Sequence, residues 1–231
     1  MFQSSSRVLV IAAHPDDDIL GCGGTLARLR HLGCEVRVVF VGEGISARFD
    51  PADFGNDDFV NASKIRTNAA CDALNFLHIS DIHFGPFYCV RFDSYPLLDI
   101  VKFIESHLRE FNPDIVLTHS DSEVNIDHRL TLKAVESSCR PINSFCPSHI
   151  LSFEIVCSGS WVFDKSFAPN LFIDISSYWE KKLSAWSFYS DESLPFPHPR
   201  SIIGIETLAK YRGMMSGVFF AEAFQVQRSL Y

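Results

Sequence analysis

The hydrophobic pattern changes period twice within the first 41 residues, and that leaves few folds open. Residues 7–13 (RVLVIAA) are an unbroken apolar run, residues 19–31 (ILGCGGTLARLRH) carry helical spacing at Ile19, Leu20, Leu26 and Leu29, and residues 35–41 (EVRVVFV) return to a β-branched run. A short run without polar alternation is expected of a strand buried on both faces. Gly33 supplies a helix stop. Strand, helix and strand in that order predict a right-handed βαβ unit and a parallel sheet.

The rest of the chain continues the alternation. Residues 42–61 are polar and aperiodic, and read as a long loop of the kind that usually carries function. Helices are expected over 62–74, 95–110, 126–138, 178–189 and 202–214, and strands from 115, over 149–156 and over 171–176. Asn112-Pro113-Asp114 breaks the second of these helices, and LPFPHPRS (194–201) forms a Pro-rich turn before the last. No repeat, low-complexity segment or linker divides the chain. The expectation is one α/β domain over 1–231, with a mainly parallel, Rossmann-like sheet flanked by helices.

Composition narrows the partners. A chain of 231 residues, 47% hydrophobic and 21% charged, can bury a full core. Its 20 Lys+Arg against 28 Asp+Glu give a net charge of −8. That lacks the footprint of a general nucleic-acid binder and offers anionic lipid no broad basic face. The apolar run before His14 is too short for a signal peptide and no later run spans a bilayer. A cytoplasmic protein without stable membrane insertion is expected, with homo-oligomerisation left open. Seven cysteines, an odd number without a C-x-x-C pair, read as reduced and mostly buried thiols.

Ligands in open α/β sheets bind beyond the carboxyl ends of the strands. The first strand ends in AHPDDDILGCGG (13–24), with His14 before three consecutive aspartates. A helix N-terminus favours acids in its first turn, but it does not easily hold three beside an imidazole. The plain reading is a solvated acidic cap; the alternative is a divalent cation, on which His14 and Asp17 converge. A dinucleotide fingerprint is excluded: Gly21, Gly23 and Gly24 fall inside the helix, and the acidic turn would repel a pyrophosphate. Those glycines instead let the helix approach the sheet. THSDSEVNIDHRLT (118–131) gathers His119, Asp121, Glu123, Asn125, Asp127 and His128 at a second strand end. His128 is the natural third ligand, with Asp127 placed to orient an imidazole. Three N/O ligands and an open position suit catalytic Zn2+, with Fe2+ or Co2+ as alternatives. Ser158-Gly159-Ser160 is no nucleophile elbow.

AHPDDDILGCGG followed by NIDHR resembles the PIG-L/LmbE superfamily of zinc-dependent N-deacetylases, which remove acetyl from N-acetylglucosaminyl groups in glycolipid and thiol-glycoside precursors. RFDS (91–94), PDIVLTH (113–119), PFPHPRS (195–201), YRG (211–213) and AEAF (221–224) extend the resemblance over most of the chain. It implies that His14, Asp17 and His128 hold zinc, that Asp16 is the catalytic base, and that the substrate is a small N-acetylated amino sugar. It further implies a substrate contact for Arg66. Arg48, Arg91, His198 and Arg200 are weaker candidates for a phosphate or second sugar. This sequence departs from the pattern at Asp18, where relatives carry Glu, at Asn125, where many carry His, and at Cys89, where a sugar-binding Asp is usual. The oxyanion donor is then His119 or Asn125, with His119 favoured. Two rivals stand beside the deacetylase: an amidase for a different amide, and a catalytically silent sugar- or metal-binding protein. Retention of Asp16 argues against the silent one.

Overall fold

The computed structural model describes residues 2–142 and 144–231. Its strands are β1 (Arg7–Ala12), β2 (Glu35–Gly42), β3 (Asp81–Phe87), β4 (Ile115–His119), β5 (His149–Phe153), β6 (Leu171–Asp174) and β7 (Ala221–Ser229). The helices are α1 (Asp17–His31), α2 (Asp57–Phe76), α3 (Leu97–Phe111), α4 (Ile126–Ser138), α5 (Trp179–Trp186) and α6 (Ile202–Ser216). All strands join one sheet in the order β3-β2-β1-β4-β5-β7-β6. β1 to β5 pair in parallel, while β7 is antiparallel to both β5 and β6.

The period of two along β1 sorts its side chains into two cores. Val8, Val10 and Ala12 face α1, α2, α5 and α6, while Leu9 and Ile11 face α3 and α4. Both faces are covered, which is why the first strand reads as continuous apolar sequence. The chain winds from β1 out to β3, then returns to add β4 on the other side of β1. The carboxyl ends of β1 and β4 therefore flank a topological switch point, where α/β sheets place their ligands.

Two strands have no clear sequence signal. β3 (DIHFGPF) is an edge strand, half-buried, with Gly85 and Pro86 interrupting its pattern. β7 inserts between β5 and β6 although it comes last in the chain, an arrangement no local pattern encodes. The expected loop over 42–61 is also shorter, because α2 begins at Asp57, where Asn56 Oδ1 accepts the Phe59 N–H at 2.8 Å.

The glycines of α1 do bring it against its neighbours. A Cβ on Gly21 would lie 2.4 Å from the Phe153 ring, and one on Gly24 would lie 2.7 Å from Ile175. Between them α1 kinks at Cys22 (φ −147, ψ 19), which frees backbone groups on either side. Glu222, from the AEAF stretch of β7, accepts the N–H groups of Gly24 (2.9 Å) and Thr25 (2.7 Å). Buried Lys182 donates to Leu20 O at 2.9 Å and to Glu222 at 2.6 Å. The ion pair thus satisfies both broken ends of the kinked helix.

Candidate active site

The turn from β1 into α1 is short and strained. Asp16 sits at φ +122, a conformation that L-residues rarely adopt. The Asp17 carboxylate accepts the His14 N–H at 2.9 Å and so closes the turn. Its Oδ2 lies 3.5 Å from His14 Nδ1 and 3.3 Å from His128 Nε2. The three ligand atoms of His14, Asp17 and His128 fall within 4.8 Å of one another, all buried.

Each histidine is fixed through its other nitrogen. Asp127 pairs with His14 Nε2 at 2.9 Å and also accepts the N–H groups of Val90 and Phe92. Glu123 pairs with His128 Nδ1 at 3.2 Å, while accepting Ser158 Oγ–H and the Ile155 N–H. Asp127 therefore orients His14, and the orienting group of His128 is Glu123, five residues before it. With the outer nitrogens on Asp127 and Glu123, His14 Nδ1 and His128 Nε2 are the ring atoms left facing Asp17.

The electrostatics fit a cation. Burial would lower the pKa of both histidines, but their acidic neighbours win. His128 is carried up to about 9 by Asp17 and Glu123, and His14 is raised well above its ordinary value by Cys89, Asp127 and Asp17. Burial would raise Asp17, yet the charge of His128 and hydrogen bonds from His128 and His14 hold it well below the usual carboxylate range. Without an ion the pocket gathers protons. Asp17 Oδ1, buried and without a hydrogen-bond partner, offers a further lone pair. A divalent ion would satisfy the same acceptors.

Asp16 points elsewhere, to Arg200 Nη1 at 3.1 Å and Arg66 Nη1 at 3.5 Å. Glu192 joins these two arginines and Arg48 in one network. Burial pushes Asp16 up to about 6; Asp17 and Glu192 add to that, and Arg200 and Arg66 oppose it. Such a carboxyl exchanges a proton near neutrality.

The remaining candidates separate. His119, at the end of β4, is fully buried, and its Nε2 accepts the Ala13 N–H at 2.8 Å. Burial, with His128 beside it, drives its pKa well below the ordinary value. It is therefore a neutral ring that ties β4 to the β1 turn, and the protonated donor that the sequence favoured is not available from Nε2. Asn125 Oδ1 caps α4 by accepting the Asp127 N–H at 2.9 Å. Arg91 lies over the Phe54 ring, and His198 accepts the Arg200 N–H and packs on Trp161, so neither joins the Asp16 network. Sequence reasoning missed Glu192, which sits in a polar stretch with no motif around it.

Residues 9–139, more than half of the chain, match the model of the family described as PIG-L, GlcNAc-PI de-N-acetylase. The chain belongs to the PIG-L family. A relative from Thermococcus kodakarensis, diacetylchitobiose deacetylase, is 27% identical over 97% of this chain and 84% of its own length. Among solved structures, N,N'-diacetylchitobiose deacetylase from Pyrococcus horikoshii aligns with a TM-score of 0.75 at 24% identity, over 96% of this chain and 84% of that one. A hydratase, 4-carboxy-2-hydroxymuconate hydratase from Pseudomonas putida, aligns with a TM-score of 0.75 at 21% identity, over 98% of both chains. The PIG-L fold is thus common ground for different reactions, and the chemistry must be argued from the site. Among the described residues no helix is long and apolar enough to cross a membrane.

Proposed function

We propose that this PIG-L family member is a metal-dependent N-deacetylase of a small N-acetylated amino sugar. The observation that carries the reading is the division of labour within the aspartate run: Asp17 faces His14 and His128, while Asp16 faces two arginines and has its pKa near neutrality. A site for metal binding alone has no use for the second arrangement. His14, Asp17 and His128 would hold the ion, with Zn2+ the first choice for this N/O set and Fe2+ or Co2+ as alternatives. A bound ion would polarise the amide carbonyl and acidify the attacking water.

The chain's own residues supply the proton path and the alignment. Asp16 takes the proton of the attacking water and returns it to the departing amine. Arg66 and Arg200 fix that carboxylate, and Glu192 fixes the arginines. Asn125, with Oδ1 committed to the helix cap, retains its amide N–H groups as the neutral donor for the oxyanion. Arg66 and Glu192 also line an adjoining cleft of about 330 Å³ between α2 and the segment before the Pro-rich turn, where the remainder of a substrate can lie.

The test is acetate release from a panel of N-acetyl sugars, their simple glycosides and sugar nucleotides, with unrelated amides alongside. Asp16→Asn is expected to keep its metal and lose at least ~10²-fold in rate. Cleavage confined to a non-acetyl amide would identify an amidase instead. Absence of any turnover in a metal-loaded protein would leave the silent binding protein as the answer.

A further inference from the structure

Cys22, Cys34 and Cys139 pack into the apolar cores, but Cys89 does not share their surroundings. It is buried beside His14 and Asp127, and its Sγ, an Asp127 carboxylate oxygen and a His14 ring nitrogen lie within 4.8 Å of one another. The backbone is built to hold it there. The Cys89 N–H donates to Glu43 Oε1 at 2.9 Å, and the next residue, Val90, is β-branched at φ +57 with its N–H on Asp127. A β-branched residue in that region is an outlier, and strain of this kind collects at sites with a task.

We propose that His14, Cys89 and Asp127 form a second cation set that overlaps the first at His14 and takes a thiophilic divalent ion, such as zinc or cadmium. The thiolate makes this set softer than the N/O trio and unsuited to magnesium, calcium or manganese. On binding, the thiol loses its proton to solvent and the sulfur lone pair goes to the ion. A neutral imidazole has one lone pair, so His14 serves one set at a time. Filling the second set through Nε2 replaces the 2.9 Å contact between His14 Nε2 and Asp127 and leaves the ring proton on Nδ1, the nitrogen that faces Asp17. Excess thiophilic metal therefore competes with the first set through a shared ligand.

Cobalt(II) titration of the metal-stripped full chain reads the two sets separately, because only thiolate ligation gives an intense near-ultraviolet charge-transfer band. The expected result is a first equivalent with visible bands alone, then the near-ultraviolet band as cobalt goes into excess. Cys89→Ser should keep the first equivalent and lose the second band, whereas His128→Ala should weaken the first and keep the second. No near-ultraviolet band at any excess, or one of equal intensity in Cys89→Ser, overturns the proposal. A readout on the unaltered chain follows alkylation of Cys89 by peptide mass. Excess cadmium should protect that thiol, and equal labelling with and without cadmium overturns the proposal as well.

Discussion

Asp127 and Glu123 stand outside the trio of His14, Asp17 and His128, yet each decides which nitrogen of a histidine faces Asp17. Loss of such an orienting carboxylate typically weakens metal binding by ~10–100-fold. Glu123→Gln and Asp127→Asn are expected to show that loss in competition with a chromophoric chelator, while Asn125→Ala keeps its affinity. Metal uptake must also displace protons. His128, with its pKa near 9 in the metal-free protein, is charged at neutral pH. Apparent affinity should therefore rise with pH from neutrality through about 9, with protons released on binding. Isothermal titration at pH 7.5 in two buffers of different ionisation enthalpy measures that release, and equal heats in both would contradict it. The two histidines at the β4 end differ in charge for a physical reason: Glu123 and Asp17 support the proton on His128, while burial and the charge of His128 outweigh Asp17 at His119, whose Nε2 has accepted a backbone N–H.

The helix after the acidic turn is where sequence pattern and packing agree in one half and diverge in the other. Its glycines read correctly as close-packing positions. A methyl group on Gly24 would meet Ile175 at 2.7 Å, so Gly24→Ala is expected to cost ~1–3 kcal/mol by thermal or urea denaturation. The kink at Cys22 was not legible, because its stabilising partners arrive from β7 and α5, 198 and 162 positions from the backbone groups they bond. Glu222→Gln leaves Lys182 buried without its counter-charge, a loss of ~3–5 kcal/mol when one partner of such a pair is removed. Urea denaturation of the metal-loaded protein checks it, and an unchanged midpoint would mean that Glu222 contributes nothing to the kinked helix.

Across the whole molecule, pH acts on stability as well as on the site. His107 of α3, packed between His83 and Phe103, is held down to about pKa 4 by burial, with His83 and Arg37 adding to it. An unfolded histidine titrates near ~6.5, so between that value and about 4 the unfolded state binds the extra proton. Stability from this residue is complete above ~6.5 and falls as the pH drops through that window. The stability gap between the parent and His107→Gln should therefore narrow from pH 7.5 to pH 5, and a constant gap would remove His107 as the cause. The architecture itself follows from two periods: buried runs of two-residue period alternating with helices dictate a parallel sheet, and parallel strands place their loops at one edge. The sequence by itself thus determined the βαβ core and singled out His14, Asp17 and His128 as candidates, because the first two lie three residues apart and the third follows a second strand end beside an acid, while the convergence of the three is tertiary. Only the tertiary structure decided that Asp127 serves His14 across 113 positions, that Arg200 reaches Asp16 across 184, and that β7 enters the sheet before β6. Such contacts join residues that share neither a period nor a local spacing, so they come into being only when the sheet has formed and the helices have packed on it.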